Sequence, residues 1–139
     1  MQGKEIAKFL GHFTLQFPNR ELQEDQSCRV LILEALKGKV LASISAQKLA
    51  GDKCRRIREQ VLNIVKRVQE HDICFPALYL DKFLVLTENA GVRLFGFGNT
   101  FNPKDLYDTP KERELHAKVT IETLEDLLED MGFGTSDDL

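Results

Sequence analysis

Residues 53–70 carry the pattern that most restricts what this chain can become. Cys54, Ile57, Val61, Ile64 and Val68 recur at alternating spacings of three and four. At about 100° per residue they fall on one narrow stripe of an α-helix. Arg55, Arg56, Glu59, Asn63 and Lys66 fall on the far side, and Asp52 stands where a helix cap is expected. A stripe of this kind is stable only when it is packed against something else. The rest of the chain must therefore supply a surface to cover it.

The flanking segments suggest what that surface is. Ile6, Phe9, Leu10 and Phe13 share a helical stripe, which predicts a helix over residues 4–13, broken at Pro18-Asn19. Val30, Leu31, Leu33 and Leu36 predict a second helix to about Lys37, capped by Asp25 or Ser27 and stopped by Gly38. A β-leaning piece, Val40-Leu41-Ala42, precedes a brief helix over 46–50. Phe83 to Thr87 and Val92 to Phe97 flank Glu88-Asn89-Ala90-Gly91, which predicts a β-hairpin. Thr109-Pro110-Lys111-Glu112 starts a helix to about Lys118, and a last helix is expected over 121–131. Gly132 to Leu139 is expected as a loose tail. The expected class is α+β and helix-dominated. The expected parts are residues 1–24 (helix and connector), 25–100 (a core domain with the hairpin) and 101–139 (an acidic helical extension).

At 139 residues and 42% apolar composition the chain can build a core without cross-links. Cys28, Cys54 and Cys74 lie in apolar periodic segments and are expected as buried free thiols of a reducing compartment. No leader-like or membrane-length apolar run is present, so an intracellular location is expected, cytoplasmic first and the nucleus as the alternative. The net charge of −3 conceals a division. From Lys37 to Arg67 nine basic residues face two acidic ones, +7, whereas from Asp105 to Leu139 three face eleven, −8. A basic middle and an acidic end say more about partners than their sum does.

Ser45-Ala46-Gln47-Lys48-Leu49-Ala50, followed by the basic run Arg56-Ile57-Arg58-x-x-Val61 and then a hairpin, resembles the helix-turn-helix and wing of winged-helix DNA-binding domains. The resemblance covers about half the chain, from Ser27 to Phe97. Gly51-Asp52-Lys53 replaces the longer turn of that family. The resemblance implies a winged-helix-like core binding duplex DNA in the major groove. Its contacts would come from Lys48, Lys53, Arg55, Arg56, Arg58, Glu59, Asn63, Lys66 and Arg67. It implies a non-enzymatic role, as a transcription regulator or replication accessory.

RLFGFGNTF, residues 93–101, resembles the base-stacking strand of RNA-recognition domains, with its last aromatic one residue late. Leu94 and Gly98 depart from that pattern, and the long helix precedes every good strand, the wrong order for that fold. The hairpin is apolar on both faces, so it needs cover on both. A contrasting expectation is therefore a protein-interaction or dimerisation module with no nucleic-acid role. Its interface would be Phe83, Val85, Arg93, Phe95 and Phe97 of the hairpin with Leu124, Leu127, Leu128 and Met131 of the acidic helix.

Chemistry has little foothold. His12, His71 and His116 are isolated, and G-x-S-x-G, H-E-x-x-H and P-loop motifs are absent. His71-x-x-Cys74 has no C-x-x-C companion, so no metal is expected, and neither a cofactor nor a catalytic residue.

Overall fold

The computed structural model of the chain describes residues 4–19, 24–96 and 100–134. It divides into two compact units, Met1–Leu36 and Lys37–Leu139.

The smaller unit is an antiparallel hairpin of β1 (Phe9–Asn19) and β2 (Glu24–Leu33). The register runs from Phe9↔Leu33 to Asn19↔Glu24, with an irregularity between Phe9 and Gly11. Lys8 continues the pairing, its N–H donating to the Glu34 carboxylate (2.7 Å) while the Glu34 N–H donates to the Lys8 carbonyl (2.9 Å). Both helices expected here are strands. Phe13-Thr-Leu15-Gln-Phe17 alternates with a period of two, and Val30 to Leu33 is aliphatic without a break. Cross-strand pairing therefore outweighs a four-residue helical stripe. Residues that would have formed the first helix of a helix-turn-helix are paired as β2. Cys28, expected to be buried, is exposed on that strand.

In the larger unit, β3 (Gly38–Val40), β4 (Phe83–Leu86) and β5 (Val92–Leu94) form one antiparallel sheet in the order β3-β4-β5. Gly38 faces Leu86 across the first pair. A Cβ on Gly38 would collide with the Val85 carbonyl, so only glycine allows the strands to approach this closely there. The brief helix expected over 46–50 is a 3-10 turn, Ala46–Lys48, and the β-leaning piece before it leaves β3 at Val40 for another 3-10 turn, Leu41–Ser43.

The long helix forms as its pattern requires. It is α1 (Gly51–Glu70), with Cys54, Ile57, Val61, Leu62, Ile64, Val65 and Val68 buried. Full burial of aliphatic side chains such as these stabilises a fold by roughly 1.5–3 kcal/mol each. Its N-cap is Ala50, not Asp52, which instead lies in the first turn and pairs with Arg55 at 3.2 Å. Gln60 fixes the sheet to this helix. Its Oε1 accepts from the Val92 N–H at 2.9 Å, and its Nε2 donates to the Ala90 carbonyl at 3.2 Å.

Two further helices follow, α2 (Pro103–Leu106) and α3 (Pro110–Asp130). The Thr109 hydroxyl accepts from the Glu112 N–H, as the capping sequence predicts. The two helices expected over 110–131 are one, because neither glycine nor proline interrupts the run. Gly132 (φ 87°) ends it in a Schellman turn, with the Phe133 N–H donating to Leu128 O and the Gly132 N–H to Glu129 O, both at 2.9 Å. Leu124, Leu128 and Phe133 are buried, and α3 contacts α1.

The expected boundaries at residues 24 and 100 give way to one between Leu36 and Lys37. The β1–β2 pairing spans the first, and the Cys74↔Phe101 bridge with the α1–α3 contact spans the second. The class is α+β. Among the described residues no helix is long and apolar enough to cross a membrane.

Candidate functional site

Helical geometry sorts the nine predicted DNA-contacting residues into three places. Arg55, Arg56, Glu59, Asn63, Lys66 and Arg67 are exposed and share the outer face of α1, opposite its buried stripe. Lys53 and Arg58 are half-buried on the two flanks of that stripe. Lys48 is off the helix, at the end of the second 3-10 turn, and is exposed.

Each flank opens into a cavity. On the Arg58 side about 430 Å³ is enclosed by the start of α1 and the end of α3, with Asp52, Arg55, Arg58, Glu59 and Phe133 in its wall. Positive and negative groups are mixed there. On the Lys53 side a groove of about 330 Å³ runs between the 3-10 turns, α1 and β4. Lys39, Lys48 and Lys53 line it, and no carboxylate does. The winged-helix resemblance puts Lys48 and Lys53 on a DNA-facing surface and does not include Lys39. The signal that could have found it was Gly38, whose lack of a side chain sets Lys39 opposite Val85.

The predicted protein interface is largely interior. Phe83 and Val85 are buried on one face of the β4–β5 hairpin, and Leu124 and Leu128 are buried under α3. These four fill the unit's own core and are not presented to a partner. The hairpin carries its buried residues on one face only, with Leu84, Leu86 and Arg93 half-covered on the other. Leu127 and Met131 are half-buried, and Phe95 is 38% exposed. Phe97 lies outside the described residues. The large exposed apolar side chains gather on the β1–β2 hairpin instead, at Phe9, Leu10, Phe13, Leu15, Leu31, Ile32 and Leu33.

The RLFG stretch, residues 93–96, is closed by a lysine at Gly96. The Phe95 N–H donates to the Lys82 carbonyl at 3.0 Å, and the aliphatic stem of Lys82 occupies the place where a side chain on Gly96 would begin.

Cys74 and His116 lie elsewhere in the larger unit, the first buried and the second half-buried. Burial, and secondarily the Asp72 carboxylate, push the Cys74 thiol above its ordinary range. It therefore stays protonated and is a poor nucleophile. His116 accepts or donates a hydrogen bond at Nδ1 with the Tyr107 hydroxyl, 3.1 Å away, and both rings lie beside Phe101. No group of three or more His, Cys, Asp or Glu side chains gathers as a metal site among the described residues.

No protein-family profile matches the chain, and no curated protein does. Its fold is nonetheless found among solved structures. The crystal structure of Rad53 1-466 in complex with AMP-PNP superposes with a TM-score of 0.64 over 94% of this chain, at 19% identity. The chain spans 34% of that solved chain, so the likeness is to a part of it and is one of fold.

Proposed function

We propose that this chain is a catalytically silent module on a fold shared with ATP-binding phosphotransfer proteins, and that it acts by holding a protein partner. Two things support the reading. The Rad53 chain that shares its fold was solved with AMP-PNP, an ATP analogue. Protein kinases transfer phosphate with the Asp and Asn of H-R-D-x-x-x-x-N and the metal-holding Asp of D-F-G. This sequence contains neither H-R-D nor D-F-G. The observation that carries the reading is the groove lined by Lys39, Lys48 and Lys53, with an apolar floor and no carboxylate.

Incubation with radiolabelled ATP, Mg²⁺ or Mn²⁺ and a general protein acceptor tests this. No incorporation above a protein-free control is expected. Metal-dependent transfer by the purified chain would refute the silent reading.

A second reading, duplex DNA on α1, is favoured by the exposed cations Arg55, Arg56 and Lys66 on its outer face. It retains from the winged-helix resemblance only the helix and the hairpin. Under it, anisotropy with mixed-sequence duplex shows binding that falls steeply as salt rises. Arg55→Ala with Arg56→Ala then weakens binding several-fold. Binding that ignores both substitutions removes α1 as the reading element.

A further inference from the structure

We infer that the groove on the Lys53 flank of α1 is a docking site for an acidic peptide segment carrying one aliphatic side chain. The inference deepens the partner-holding reading by naming the surface and the chemistry of what it takes.

Three elements build the groove. β3 brings Lys39, the second 3-10 turn brings Lys48, and the first turns of α1 bring Lys53, with Ile57 one turn further on the same side. Among the described residues none of the three ammonium groups has an ion-pair partner. In a chain of net charge −3 this is a concentrated positive site without its counter-charge. Ile44, Leu49, Ile57 and Val85 make the walls and floor apolar. A cationic rim over an apolar floor fits carboxylates flanking an aliphatic side chain. The carboxylates meet the lysines at the rim, and the aliphatic group leaves water for the floor.

The volume, about 330 Å³, lies at the small end of ligand cavities and suits one or two side chains. Other anionic ligands fit less well. No aromatic ring lines the groove for a nucleobase to stack on. The α1 N-terminal residues Gly51 and Asp52, whose N–H groups would favour a phosphate, line the other cavity. A duplex reads a convex protein surface with its own grooves, and its phosphates have no use for an apolar floor.

The test uses the full chain and a fluorescein-labelled pentapeptide, Asp-Glu-Leu-Asp-Glu, titrated by anisotropy at low salt. Saturable binding is expected, with a Kd on the order of 10–100 µM. Raising the salt to 0.3 M weakens it several-fold, because the pairs lie at a solvated rim. Replacing the central Leu of the probe by Ala weakens binding about threefold or more. Lys39→Glu with Lys48→Glu weakens it at least tenfold while the melting temperature stays within a degree or two, both side chains being exposed. The probe Lys-Lys-Leu-Lys-Lys does not bind.

Three results would overturn the inference. One is no binding of the acidic probe up to millimolar concentration. Another is binding that the charge reversal leaves intact. The third is a mixed duplex that displaces the peptide and depends on the same two lysines, which makes the site a nucleic-acid contact. Failure here is separable from failure of the silent reading. Peptide binding together with metal-dependent phosphate transfer keeps the groove and removes catalytic silence. Absence of both activities removes the groove alone.

Discussion

Phe83→Ala is expected to cost the larger unit about 3–5 kcal/mol of unfolding free energy, the range for emptying a buried aromatic site. Phe83 is fully buried at the start of β4, on the face it shares with Val85, Val92 and Leu94. Its pairing with Leu94 holds β5 in register. Domains of this size carry about 5–15 kcal/mol in all, so the variant sits near the edge of folding. At roughly 4–8 °C per kcal/mol the melting temperature falls by about 12 °C or more. Urea melts followed by circular dichroism measure it. Leu84→Ala, at the next position but half-covered, is the control and should cost less than half as much. Equal losses at the two positions would mean that the hairpin is covered on both faces after all.

Leu128→Ala is expected to cost about 2–5 kcal/mol, whereas Leu115→Ala on the same helix should stay within about 0.5 kcal/mol. Leu128 is 0% exposed, and its carbonyl also receives the Phe133 N–H that closes the Schellman turn. Leu115 is 61% exposed. The contrast tests whether α3 is anchored through its C-terminal half. If Leu128→Ala leaves stability unchanged but abolishes capture of a partner, α3 is an interface helix and the packing described above is wrong. Gel filtration alongside the melts separates the two outcomes.

Much of the architecture was legible wherever the signal was local and long. The stripe of α1, from Cys54 to Val68, spans about four turns, so no alternative pairing competes with it, and the helix forms within two residues of the expected start. The hairpin at Phe83–Leu86 and Val92–Leu94 and the Thr109 cap were legible for the same reason. The N-terminal third was not. Phe9, Leu10 and Phe13 satisfy a helical spacing, while Phe13, Leu15 and Phe17 satisfy an alternating one. Only the partner strand, paired at Phe13↔Val30 and Leu15↔Cys28 across a turn, decides between them.

The candidate site shows the same division. The sequence by itself determined that a basic helix exists, that its charges lie opposite an apolar stripe, and that an acidic helix follows. These are properties of spacing and composition, and a helix of fixed pitch converts them directly into faces. Tertiary structure alone decided which charges act together. Lys39 and Lys53 are fourteen positions apart and meet at one groove because a glycine lets β3 close on β4 beside α1. Packing likewise moved Phe83, Val85, Leu124 and Leu128 from a presumed interface into the core, since apolar area is buried against whatever surface lies nearest. RLFG, residues 93–96, ends at Gly96 against the stem of Lys82, a contact between residues fourteen positions apart that no local pattern encodes.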